Sequence, residues 1–191
     1  MNKSRDEAFA LLSEYTKSES LIKHALAVEA GMRWYAAHFN IPAAEAEKWG
    51  LTGLLHDFDY EAHPDPTPPE GHPFFGNRLL GELGYSDDIR EAIMGHALYT
   101  GVPRTSQMAK ALFAVDELSG LIVASALVRP DKSLKTLEAS SVVKKMKDKG
   151  FARGCNREDI KLGAEELGVE LPQHISNLIT ALREVPGLTP G

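Results

Sequence analysis

Apolar residues recur every three or four positions along nearly the whole chain, and nowhere do four to eight β-branched or aromatic residues alternate with polar ones. That period places a stripe on one face of a helix and gives a strand no buried side, so the expected fold is all-α. Ser4 with Glu7 three residues later predicts a capped first helix reaching Tyr15. Further helices are expected over 20–39, from Pro42 to His56-Asp57, and over 73–83, 87–98, 106–128, 133–147, 158–167 and 172–185, with Ser133 as one of the caps. Between Phe58 and His72, Pro64, Pro66, Pro68 and Pro69 fix φ and remove N–H donors. A semi-rigid loop is expected there, a wall or lid for whatever the preceding His-Asp pair does.

The chain has 191 residues, 43% of them hydrophobic, enough for one core, and residues 1–191 are expected to form a single helical domain. Twenty-one basic residues against 27 acidic ones give a net charge of −6, which disfavours a broad footprint for duplex nucleic acid or an anionic membrane. The longest apolar run, 118–128, falls short of the roughly 20 residues that span a bilayer. Cys155 is the one cysteine, and Met1–Glu7 carries acids where a signal peptide needs an apolar stretch, so a cytoplasmic location is expected. The chain contains neither G-x-x-x-x-G-K-[ST] nor G-x-G-x-x-G, which removes kinase-like and Rossmann readings.

The informative residues are polar groups on apolar faces. Asp116 has Ala109, Leu112, Phe113, Gly120 and Val123 at its i−7, i−4, i−3, i+4 and i+7 positions, and no Lys or Arg shares that stripe. An unpaired buried carboxylate costs several kcal/mol, so a compensating positive charge is required. His24 projects from the stripe of Leu21 and Val28, and His56-Asp57 closes the largely apolar segment from Trp49. Taken singly, His24 is either a ligand or a core histidine bonded to a carbonyl, and Asp57 either a ligand or a turn residue. A divalent cation reconciles His24, His56, Asp57 and Asp116 together, and nitrogen and oxygen donors suit Mn, Fe, Co, Ni, Zn or Mg without distinguishing them. His72 and His96 fall in the same region and can hold a second ion, with packing the alternative. His38, His63 and His174 read as surface residues.

The order His24, His56-Asp57, Asp116 on helices resembles the HD-domain superfamily of metal-dependent phosphohydrolases, over residues 20–128. His72 and His96 look like the extra histidines of its binuclear branch, and the segment from His72 to Leu80 resembles a small bacterial subgroup. The resemblance implies a compact helical bundle with the C-terminal helices of 133–187 packed on the motif core. It also implies one or two divalent ions, with His24, His56, Asp57 and Asp116 holding the first and His72 and His96 the second. A small phosphorylated substrate, chiefly a nucleotide, would be cleaved by metal-activated water. Asp59 is the expected proton relay, with Glu61 as substitute. Arg78, Arg104, Lys110 and Lys132 are the candidate phosphate-binding cations, and Lys144–Lys149 with Arg153 and Arg157 can guide an anion. Two alternatives stand beside hydrolysis: a mixed-valence di-iron oxygenase and a non-catalytic nucleotide- or partner-binding module. The oligomeric state is not readable from the sequence.

Overall fold

The computed structural model describes residues 3–190. Met1 and Asn2, the first residues of the acidic N-terminal stretch, and Gly191 lie outside them. The helices are α1 (Arg5–Tyr15), α2 (Glu19–His38), α3 (Ala43–Leu55), α4 (Phe74–Glu82), α5 (Asp87–His96), α6 (Gln107–Leu127), α7 (Ala139–Met146), α8 (Arg157–Leu167) and α9 (Leu171–Arg183). No strand occurs among the described residues. The fold is all-α, a compact bundle.

Helices α2 and α6 lie at its centre. Helices α3 and α9 pack on α2, while α5, α7, α8 and α9 pack on α6. Met32 and Tyr35 of α2, Leu54 and Leu55 of α3, and Leu112, Leu118, Leu121 and Ile122 of α6 are fully buried in one apolar cluster that extends to Leu188. Gly53 sets the closest approach: a Cβ there would come within 2.9 Å of Glu29 Cα and Val28 O on α2. Removing that side chain lets α3 cross α2 tightly enough for His56 to reach His24. Glu29, only 4% exposed, is ion-paired to Arg5 at 2.8 Å and Arg33 at 3.0 Å, tying α1 to α2.

Three expectations change. Ser133 does not open a helix: its Oγ accepts from Lys135 N, and the carbonyls of Leu134 and Leu137 are taken by the Arg183 guanidinium, so α7 starts at Ala139. Helix α5 stops at His96 because Ala97 is extended (φ −99°, ψ 111°), and a short 3₁₀ turn, Leu98–Thr100, follows. His174 is buried, not at the surface. Its Nε2–H donates to Ala114 O at 2.8 Å, and its Nδ1 accepts from the Tyr35 hydroxyl.

Candidate metal centre

Four helix ends or faces and one turn converge on a single cleft. Helix α2 brings His24, the end of α3 brings His56 and Asp57, α5 brings His96, and α6 brings Asp116. His72 arrives from the proline loop, which folds back on itself through His63 N to Asp59 O, Gly71 N to Thr67 O and His72 N to His63 O, each at 2.8 or 2.9 Å. The loop walls the cleft only at its two ends: Tyr60 and His72 line it, and the prolines do not. Its structural effect is to return the chain to Asp57, 15 positions earlier.

Asp57 has a different group of donors on each of its two oxygens. On one side Oδ2 lies 3.4 Å from His56 Nε2 and 3.9 Å from His24 Nε2, and both imidazoles approach Asp116 Oδ1, at 3.4 and 3.0 Å. On the other side Oδ1 lies 3.2 Å from His72 Nε2 and 3.3 Å from His96 Nε2. Within each group the ligand atoms all lie within 4.8 Å of one another. Three rings are locked from behind. His56 Nδ1 is bonded to Gly53 O at 2.8 Å, His72 Nδ1 to Asp59 Oδ1 at 2.7 Å, and His96 Nδ1 to Ile93 O, leaving each Nε2 to face inward.

No Lys or Arg among the described residues pairs with Asp57 or Asp116. Burial would push both carboxyls up, yet the charge of His56 and hydrogen bonds from the imidazoles outweigh it and hold both well below the usual carboxylate range. Burial likewise disfavours charge on His72, but its bonds to Asp57 and Asp59 raise it to about 9. Ionised carboxylates, inward nitrogens and no Lys or Arg make a donor set that fits one or two divalent ions, whose binding would displace the imidazole protons.

A family comparison agrees with the motif order. The HD domain family model matches residues 21–121. The chain belongs to the HD-domain family. Searches of curated proteins and of solved structures return no match. HD-domain membership points to metal-dependent hydrolysis, and the two clusters sharing Asp57 can hold divalent metal. Among the described residues, no helix is long and apolar enough to cross a membrane.

The other candidates fall elsewhere. Asp59 is 1% exposed, with Oδ1 on His72 Nδ1 and Oδ2 accepting from Gly76 N at 2.7 Å, so it positions His72 and does not line the cleft. A Cβ on Gly76 would sit 2.7 Å from the Asp59 carboxylate, which explains the small residue there. Glu61 is exposed and accepts from the backbone N–H groups of Lys17 and Ser18 at the start of α2. Arg104 is held by Glu166 at 2.6 Å and by Gly95 O, over the Phe113 ring; Arg78 pairs with Glu70 at 3.1 Å. Neither these arginines nor Lys110 nor Lys132 lines the cleft.

The cleft, about 660 Å³, is instead lined beyond the ligands by Tyr60, Leu98, Tyr99, Glu117, Asn156 and Asp159. None of these stands out in the sequence, because their approach depends on the break after α5 and on the packing of α8 against α6. Tyr60, Leu98 and Tyr99 are exposed apolar side chains, and the Tyr99 hydroxyl donates to His72 O at 2.8 Å. Burial, reinforced by the Asp116 charge, pushes Glu117 up to about 7.

One prediction separates positioning from proton transfer. Asp59→Asn is expected to weaken ion binding on the His72–His96 side about 10- to 100-fold while sparing the His24 side. Elemental analysis across a range of free metal concentrations reads this directly. Undiminished ion content with a lowered turnover rate would restore Asp59 as a relay.

Proposed function

We propose that this protein hydrolyses a phosphoester or phosphoanhydride bond in a small phosphorylated molecule, with nucleotides the leading class. The observation that carries the reading is Asp57, one oxygen turned to each of two histidine-rich groups. Both groups of residues could hold a divalent cation, which would supply a bound water acidified to a pKa of ~7 and a Lewis acid for a phosphoryl oxygen.

The chain's own residues prepare that chemistry. Gly53 O, Asp59 and Ile93 O fix three imidazoles, so they need not reorganise when the reacting group arrives. Asp57 and Asp116 stay ionised at neutral pH. Tyr60, Leu98 and Tyr99 form an apolar rim that limits water, and Glu117 and Asp159 are the remaining carboxyls placed to exchange a proton with the leaving oxygen.

The test is elemental analysis of the isolated protein, followed by a phosphate-release screen over nucleotides and other phosphoesters with Mn, Co, Ni and Mg. Bound metal and phosphate release from at least one compound are expected. A metal-free protein inert towards every compound would overturn the proposal, and substrate-dependent oxygen consumption without phosphate release would replace it with the oxygenase reading.

A further inference from the structure

The cleft that holds the candidate metal centre is short of positive side chains. Its lining includes the carboxylates of Asp57, Asp116, Glu117 and Asp159 and no Lys or Arg. Next to it lies a second groove of about 720 Å³, built from the end of α7, the 147–156 connection and the start of α8. Gly154, Cys155 and Asn156 line both spaces, so the two are neighbours that share one wall.

The charge of this groove is opposite to that of the chain. Lys147, Lys149, Arg153, Arg157 and Lys161 line it against one acid, Glu158, in a protein of net charge −6. Two of the cations are committed: Lys161 pairs with Glu158 at 2.8 Å, and the Arg157 guanidinium binds the carbonyls of Phe151, Ala152 and Cys155. Those three bonds shape the shared wall, where Ala152 takes a left-handed φ of 42°. Lys147, Lys149 and Arg153 are exposed and form no ion pair among the described residues. Three uncommitted cations beside an acidic cleft raise the local concentration of anions where the protein as a whole repels them.

We infer that the substrate carries a second anionic group, distant from the bond that is cleaved, and that Lys147, Lys149 and Arg153 bind it in this groove while the scissile phosphoryl group occupies the metal cleft. The inference rests on the hydrolase reading and narrows it to bisphosphorylated or longer anionic molecules. A volume of this size matches pockets that take nucleotide-sized ligands.

Calorimetric titration of the full-length protein with adenosine 3′,5′-bisphosphate and with adenosine 5′-monophosphate tests it, on protein as isolated and after chelator treatment. The bisphosphate is expected to bind at least ten-fold more tightly in both states, and this preference should shrink as salt is raised. The double variant Lys149→Glu/Arg153→Glu should abolish the preference with an unchanged melting temperature, both side chains being exposed. Equal binding of the two compounds, or a preference that survives charge reversal, would overturn the inference. Because the chelated protein is measured too, a preference seen without phosphate release in the screen would sink the hydrolase reading and leave the groove standing.

Discussion

Asp57→Asn should reduce phosphate release at least about a thousand-fold and drop the bound ion content below that of any other single ligand variant. The size follows from the several kcal/mol that a bound cation contributes to phosphoryl transfer, at about 1.4 kcal/mol per factor of ten. The singular effect follows from geometry: His24, His56 and Asp116 serve one group and His72 and His96 the other, whereas Asp57 turns an oxygen to each. Asn keeps the shape and removes the charge, so the fold should survive. Elemental analysis and a turnover assay on the same preparation check it, and wild-type ion content in the variant would refute the bridging role.

A second large effect concerns stability, away from the cleft. Burial lowers the His174 pKa from 6.5 to about 4, because the apolar interior disfavours the charged imidazolium by more than its bond to Ala114 O favours it. The folded state thus stays neutral where the unfolded chain binds a proton. Its contribution is complete above pH 6.5 and is lost as pH falls towards 4, by about 3 kcal/mol in total at 1.36 kcal/mol per unit. Urea unfolding at pH 7.5 and pH 4.5 should show this loss, and His174→Gln should flatten the difference. Equal pH slopes in the two proteins would show that His174 does not titrate in this way.

The contrast between these two sites explains what the residue pattern could reveal. Helix bounds for α2, α3 and α6 follow from local caps and apolar stripes, so they lie within one or two residues of the expected ones. The six clustered side chains were readable as polar groups on, or ending, apolar helices, or as histidines in the same region. His174 satisfies the same criterion, standing with Leu171, Ile175 and Leu178 on one face of α9, but its position near the helix start made it look superficial. The candidate phosphate-binding cations lie away from the cleft for another reason. Whether an arginine is free depends on what faces it: Arg104 meets Glu166 from 62 positions away, a pairing that no local spacing encodes. Asp59 shows the same limit over a shorter range, since only the returning loop reveals that His72 and Gly76 occupy both of its oxygens.

The excursion between Phe58 and His72 divides the centre into parts of unequal origin. His24, His56, Asp57 and Asp116 come from α2, from the end of α3 and from α6, which together build the core, so the bundle itself fixes their backbone positions. His72, by contrast, hangs on a surface detour with its own internal bonds, braced by one aspartate and one glycine. Trimming that detour would take His72 out of the second group while the core helices that carry the first stood. The second group is in this sense adjustable by loop surgery independently of the architecture beneath it.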